Sequence, residues 1–116
     1  MGTGNKFKKG LDVLITNNTA NIDGGAIRLY LGTVEINNSK ITNNKTSGEV
    51  GGFWSEASST FSNVTIANNQ GNGFKGSGTL NTSTIFSNTG LGLEGQPTIA
   101  YSNILKNGIG YNCTFT

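Results

Sequence analysis

The chain has 116 residues with 18 Gly, no His and a formal net charge of +2. This length indicates one small domain, and the balanced charge argues against a nucleic-acid surface. The lack of His excludes Ser-His-Asp or Cys-His catalysis and any metal site built on imidazole. No apolar run is long enough to span a membrane, and no apolar leader follows Met1, so we expect neither a membrane span nor a signal peptide.

The first ten residues, 1–10, are Gly-rich and carry Lys6, Lys8 and Lys9 around Phe7. We interpret them as an N-terminal basic segment that lies in solvent; binding to an anionic partner is the alternative. The remaining residues, 11–116, are predicted to form one repeat domain.

A short pattern, Ile-x-x-Asn, recurs five times in that domain, with Ile-to-Ile steps of 26, 25, 19 and 19 residues. The copies begin at Ile15, Ile41, Ile66, Ile85 and Ile104. A pattern with such a spacing predicts a solenoid, in which only stacked repeats bury a core. Asn, Gly, Thr and Ser together supply 60 residues, and most of these types are poor helix formers that favour turns and strands.

Each repeated Ile is predicted to lie on a strand with its side chain inside, together with the residue two positions earlier. A second strand precedes it, with an apolar residue five positions before the Ile. The inward residues of that strand are Ile36, Phe61, Leu80 and Ile99.

The Asn that ends each pattern is expected to form a structural ladder. Stacked strands lie about 4.8 Å apart, so identical amides can bond to one another along the stack. Asn also tolerates the left-handed backbone conformation of a sharp corner, so we expect the same residues to occupy the corners. The ladder residues are Asn18, Asn44, Asn69, Asn88 and Asn107.

A Gly-rich corner and another apolar residue follow each Asn. We expect an inward column of Ala26, Phe53, Phe74, Leu93 and Tyr111, and beside it an outward column of Ile27, Trp54, Lys75, Glu94 and Asn112. The first two copies carry extra residues, Thr19–Asp23 and Lys45–Val50, which are predicted to be loops on one side.

These repeats resemble the right-handed parallel β-helix of pectate-lyase-like proteins. The first two copies, residues 15–18 with 24–27 and 41–44 with 51–53, are also similar to the GGAI and FxxN repeats of chlamydial polymorphic outer-membrane proteins, with Ile in place of Phe. The resemblance covers residues 11–113. It implies an all-β, single-stranded solenoid of about five coils with an internal asparagine ladder. It implies no particular activity, because the scaffold carries lyases, hydrolases, adhesins and fibre segments alike.

The acidic residues are dispersed along the sequence. Asp23 and Glu49 each lie eight residues after a repeated Ile, so a paired-carboxylate or calcium site there is the alternative to acids on solvated loops. Two G-x-G-x-x-G segments, 71–76 and 90–95, recur at the coil spacing and indicate corners, so we expect no cofactor and no metal. The single arginine, Arg28, and the lack of an acidic cluster favour a protein that is not an enzyme.

The best candidate for ligand binding is Trp54, with Tyr30 one coil away. An exposed indole can stack on a sugar or anchor a protein partner; the alternative is that Trp54 packs under the predicted 45–50 loop. Lys75 and Glu94 occupy the same outward column and are further candidates for ligand binding; they are also expected to form a surface ion pair.

The sequence therefore predicts a non-catalytic structural or binding module of an extracellular or cell-surface protein, acting as an adhesin, a spacer or a self-associating fibre subunit. Its expected partners are a second copy, by end-to-end stacking of coils, a carbohydrate or a protein receptor. The alternative is a fragment of a carbohydrate-active enzyme (a polysaccharide lyase or glycoside hydrolase) or a carbohydrate-binding module. The lone Cys113 is either a small semi-buried residue or a thiol that pairs outside this chain.

Overall fold

This computed structural model describes residues 9–11, 14–21, 25–30 and 32–113. Within these ranges the chain forms β-strands and no helix. The strands are β1 (Lys9–Leu11), β2 (Leu14–Thr16), β3 (Thr19–Ala20), β4 (Ile27–Leu29), β5 (Thr33–Asn37), β6 (Lys40–Thr42), β7 (Lys45–Ser55), β8 (Ser58–Ser62), β9 (Thr65–Ala67), β10 (Gln70–Gly76), β11 (Thr79–Asn81), β12 (Thr84–Phe86), β13 (Leu91–Gly95), β14 (Thr98–Ala100), β15 (Asn103–Leu105) and β16 (Ile109–Cys113).

The strands build three parallel sheets, which we call faces A, B and C. Face A has the order β1-β5-β8-β11-β14 and face B the order β2-β6-β9-β12-β15. Face C has the order β3-β7-β10-β13-β16, with β4 also paired to β7. The chain visits A, B and C in turn and then stacks the next coil on the last, so the fold is the predicted all-β parallel solenoid. In the described part of the chain, no helix has the length and apolar character needed to cross a membrane.

The asparagine ladder runs unbroken through all five repeats. The side-chain Nδ2 of each Asn donates to Oδ1 of the Asn in the next coil, at 3.0 Å from Asn18 to Asn44 and at 2.9 Å from Asn69 to Asn88. The backbone N–H of each Asn donates to the same Oδ1, for example from Asn44 to Asn69 at 2.9 Å. The second Nδ2 hydrogen reaches back to the carbonyl of the repeated Ile one coil earlier, as from Asn69 to Ile41 at 3.1 Å. Every buried amide in the middle of the ladder therefore has its partners.

The left-handed corners are not formed by the ladder residues, so that part of the prediction is wrong. Positive φ angles of 53–61° belong to the residue before each ladder Asn: Asn17, Asn43, Asn68, Ser87 and Lys106. A second series of left-handed residues turns the chain from face A to face B: Asn38, Asn63, Thr82 and Tyr101. Two neighbouring residues therefore have different roles: the left-handed residue turns the chain to the next face, and the Asn after it carries the amide that bonds along the stack.

The core follows the predicted inward columns. Ile41, Ile66 and Ile85 are at most 1% exposed. Phe53, Phe61 and Phe74 are fully buried and form one aromatic cluster, in which Phe53 and Phe74 stack at 5.9 Å between ring centroids and Phe61 meets Phe53 edge-on at 4.8 Å. Such aromatic pairs add to the energy that their buried area supplies.

Glycine precedes the inward aromatic residues because the neighbouring column leaves no room for a side chain. A Cβ at Gly73 would lie 2.7 Å from Nδ2 of Asn88 and 2.8 Å from Cγ2 of Ile85. A Cβ at Gly52 would lie 2.9 Å from Cγ2 of Ile66. Face C thus approaches the ladder and the Ile column of face B closely at these glycines.

The first coil departs from the predicted columns by one residue. Ile27 pairs with Phe53, and Arg28 pairs with Trp54. Ile27 is therefore inward and 5% exposed, where Ala26 had been expected, and Arg28 takes the outward place expected for Ile27. The inward residue lies nine positions after the ladder Asn in both of the first two coils, whereas the glycine pair lies one position earlier in the first coil, so a count from the glycines predicts Ala26 in place of Ile27.

The extra residues of the first two copies are not simply loops. Thr19 and Ala20 form β3, and Lys45–Val50 belongs to the long strand β7. β7 pairs Lys45 with Gln70, Val50 with Asn72 and Phe53 with Phe74, so its surplus residues are taken up as irregularities in the sheet. The expected Asp23 neighbour of Glu49 lies outside the described residues.

We expect Asn69→Ala to lower the free energy of unfolding by about 2–5 kcal/mol, because it leaves two buried donors of Asn44 without an acceptor. Asn103→Ala is the matched control, since Asn103 is exposed on β15, and it should cost about 0.5 kcal/mol or less. Urea unfolding of both variants checks this, and equal losses would contradict the role of the ladder.

Candidate functional site

The outward residues of face C form a continuous column across four coils. Register pairs Arg28 with Trp54, Trp54 with Lys75, and Lys75 with Glu94. Each follows a buried residue of the inward column, so strand alternation turns it to the outside. We call Arg28, Trp54, Lys75 and Glu94 the outer column.

Trp54 lies between two cations that come from the neighbouring coils. The Arg28 guanidinium carbon is 4.1 Å from the centroid of the indole, and Lys75 Nζ is 4.6 Å from it. Arg28 also lies 4.4 Å from the centroid of the Tyr30 ring. The Arg28 Nε is buried and has no hydrogen-bond partner, so the two rings stabilise this cation through their π electrons. Arg28, which sequence reasoning did not place with the candidates, thus joins Tyr30 to Trp54. A third candidate, Lys75, contacts Trp54 directly from the next coil.

Each cation of the outer column is also balanced by a carboxylate. Lys75 Nζ lies 3.0 Å and 3.1 Å from the two carboxylate oxygens of Glu49 and 3.7 Å from Oε1 of Glu94. Arg28 Nη2 donates to Oε2 of Glu56 at 3.4 Å. The expected pair of Lys75 with Glu94 exists, but Glu49 is the nearer partner. The 45–50 segment is strand and not the predicted loop, and its Glu49 contacts Lys75, which lies over the Trp54 ring.

Glu49 and Glu94 meet around Lys75 and Asn72, although their sequence positions suggested dispersed acids. The Asn72 side chain is buried; its Nδ2 donates to Glu94 Oε1 at 3.1 Å and its Oδ1 accepts from the Leu91 N–H at 2.8 Å. The pKa of Glu94 is raised above its ordinary value of 4.5, chiefly by burial and then by the hydrogen bond and charge of Glu49, while Lys75 opposes the rise. The irregular pairing of β7 carries Glu49 to this place, and no sequence period reveals it.

A paired set of carboxylates with unlike environments is the arrangement that acid–base hydrolysis uses. Here both carboxylates contact Lys75, and both lie on the outside of a sheet rather than within a cleft. In the described residues, no three His, Cys, Asp or Glu side chains come together as metal ligands would.

An open groove of about 490 Å³ runs beside the outer column, at the corner between faces C and A. Its lining is mainly hydroxyl and amide: Ser58, Thr60, Ser77, Thr79, Gln96 and Thr98. Thr60, Thr79 and Thr98 are stacked in register on adjacent coils of face A. Glu56 also lines the groove, so its ion pair with Arg28 connects the groove to the outer column. Sequence reasoning missed this groove, although the Thr that precedes the inward residues Phe61, Leu80 and Ile99 of face A was a usable signal.

Comparisons of the chain with models of protein families, with curated proteins and with solved structures give no match. Predictions that concern the side chains of Tyr111, Asn112 and Cys113 fall outside the described side chains. The predicted basic segment, 1–10, is described only at Lys9 and Gly10, which begin β1.

We expect the Glu94 carboxyl to make stability depend on pH. The folded protein holds the Glu94 proton more tightly than the unfolded chain, so protonated Glu94 stabilises the fold below pH 4.5, and this contribution is lost as pH rises through the raised pKa. The wild type should therefore lose stability relative to Glu94→Gln as pH rises from 4.5. Urea unfolding of both proteins over a pH series measures the difference, and parallel curves would contradict the assignment.

Proposed function

We propose that this chain is a non-catalytic structural module, a rigid β-solenoid that serves as a spacer or fibre subunit in an extracellular or cell-surface protein. The observation that carries the proposal is the outer column. Its cations are paired with carboxylates, Arg28 with Glu56 and Lys75 with Glu49 and Glu94, and both cations lie over the Trp54 ring. An unoccupied ligand-binding site leaves polar groups or an aromatic face open to solvent, whereas the outer column joins four coils by contacts within the protein.

The proposed extracellular or cell-surface location rests on the kind of repeat. The Ile-x-x-Asn and Gly-Gly patterns resemble the repeats of polymorphic outer-membrane proteins and the wider pectate-lyase-like class, and surface proteins of that kind use solenoids as stalks and adhesins. The ladder inside and the outer column outside give such a stalk two independent connections between successive coils. A role related to the structural one is that of an adhesin, which would bind a protein receptor through face C.

Carbohydrate recognition is the second candidate, and two observations favour it. The groove at the corner of faces C and A presents stacked hydroxyls next to Glu56, and Tyr30 is 43% exposed beside the outer column. Hydroxyl and carboxylate groups bond to sugar hydroxyls, and an exposed ring stacks on a sugar. Turnover by a carbohydrate-active enzyme would rest on Glu94, with its raised pKa, and on Glu49.

The structural role predicts that Trp54→Ala lowers the free energy of unfolding by about 1–3 kcal/mol, since two cation–π contacts and the packing of the indole are lost. Tyr101→Ala is the control, because Tyr101 is 89% exposed and its loss should change stability by about 0.5 kcal/mol or less. Urea unfolding gives both values.

The wild type and three further variants, Tyr30→Ala, Glu49→Gln and Glu94→Gln, distinguish the two candidates when they are incubated with pectin, alginate and glycosaminoglycan oligosaccharides. The structural role expects no shift in Trp54 fluorescence, no stabilisation and no released product. Saturable binding that is lost in Tyr30→Ala would replace it with carbohydrate recognition. Product that is lost in both Glu49→Gln and Glu94→Gln would replace it with catalysis.

A further inference from the structure

The two ends of the asparagine ladder are chemically unlike. Donors point toward the C-terminal end throughout, because each Asn gives its backbone N–H and one Nδ2 hydrogen to the Asn of the next coil. Asn107 is the last, and among the described residues nothing accepts from its backbone N–H. At the opposite end, the Oδ1 of Asn18 accepts from no described residue, although its Nδ2 donates to Asn44 and to the Thr16 carbonyl. One end of the ladder therefore offers donors and the other an acceptor.

The Ile column of face B is less buried at the same two ends. Ile41, Ile66 and Ile85 are buried, whereas Ile15 and Ile104, which begin and end this column, are only partly buried. On the outside of face B, Leu14 is 62% exposed in the first coil and Leu105 is 43% exposed in the last. The strands of the first and last coils, β2 and β15, are the edges of face B, and unpaired edges of this kind are templates for further strands.

We propose that the partner of this surface is a second copy of the chain, which seats its first coil on the last coil of its neighbour in the register of the solenoid. This inference rests on the structural role proposed above and names its partner. In that position Asn107 donates to Oδ1 of the second copy's Asn18, as each ladder residue does to the next. The open Ile104 covers the second copy's Ile15, and the two half-buried ends of the column become an interior.

The register also determines which residues of the two copies become neighbours on the outside of face B. The pairings place Leu14, Lys40, Thr65, Thr84 and Asn103 in one column and Thr16, Thr42, Ala67, Phe86 and Leu105 in the next. Continued across the contact, Leu105 lies beside the second copy's Thr16, and the second copy's Leu14 is one diagonal step away. Each exposed leucine thus gains a directly paired neighbour in the other copy, and the two leucines are diagonal neighbours within reach of each other.

The contact uses different surfaces on the two copies, and all strands continue in the same direction. Such a heterologous contact does not close on itself when successive copies are related by a translation along the axis, so it produces a filament. The described residues supply both halves of the face B part of this contact in every copy.

The experiment places charges at the two positions that the register makes neighbours. Thr16→Lys with Leu105→Lys puts like charges across the contact, whereas Thr16→Glu with Leu105→Lys puts opposite charges there. Thr42→Lys with Thr84→Lys adds the same charge as the first variant at positions away from both ends. Circular dichroism and urea unfolding confirm that each variant is folded before its association is measured by light scattering and sedimentation over a concentration series.

We expect the wild type and the mid-solenoid variant to associate in proportion to concentration and to form filaments visible by electron microscopy. The like-charge variant should associate about tenfold more weakly than the opposite-charge variant at low ionic strength, and added salt should reduce that difference. A wild type that is monomeric at every concentration overturns the proposal. So does association in which the like-charge and opposite-charge variants are equal, because another surface is then in contact.

These outcomes are separate from those of the proposed function. A monomer that binds no sugar and loses stability on Trp54→Ala leaves the structural role intact and removes only the self-association. Sugar binding or turnover by the wild type removes the structural role whatever its state of association.

Discussion

A buried amide that bonds along the stack is the constraint on which this solenoid depends. The interior between the three faces is apolar, and a lone Asn there would leave donors and an acceptor unsatisfied. The side chain of each Asn in the middle of the ladder, for example Asn69, instead accepts two hydrogen bonds from the preceding coil and donates one to the following Asn and one to the carbonyl of a repeated Ile. The bonds connect one coil to the next, so the amides fix the vertical alignment of the coils as well as satisfying themselves.

That alignment has consequences far from the ladder. Because Asn69 is held above Asn44, Phe74 must lie on Phe53, and Lys75 must then lie on Trp54. The cation–π contacts and ion pairs of the outer column are consequences of a register set inside the fold. Surplus residues in the second coil do not disturb it, because β7 absorbs them between Lys45 and Phe53, where the sheet tolerates an irregularity.

The sequence was informative wherever a feature repeats and uninformative wherever it occurs once. The five Ile-x-x-Asn copies predicted the strands of face B, the inward Ile column and the ladder, since stacking turns a period in sequence into a column in space. The proximity of Glu49 to Glu94 could not be predicted, because it depends on how one irregular strand folds its extra residues. The register of Arg28 was mispredicted for a different reason: the glycine pair, from which Ala26 was placed inward, lies one position nearer to the ladder Asn in the first coil than in the second, and a shift of one residue moves every side chain of β4 to the opposite face.

The shorter coils of the C-terminal half show how a protein of this kind can change its length. From Asn69 to Asn88 and from Asn88 to Asn107 the chain advances 19 residues and returns to the same place one level higher. Duplicating such a unit in the gene would add a coil whose surfaces match those of its neighbours above and below, and would lengthen the rod by about 4.8 Å. The length of the solenoid can therefore evolve by whole coils without a change in the interior. Insertion of only part of a coil would shift the Asn amide of every later coil away from its hydrogen-bond partner.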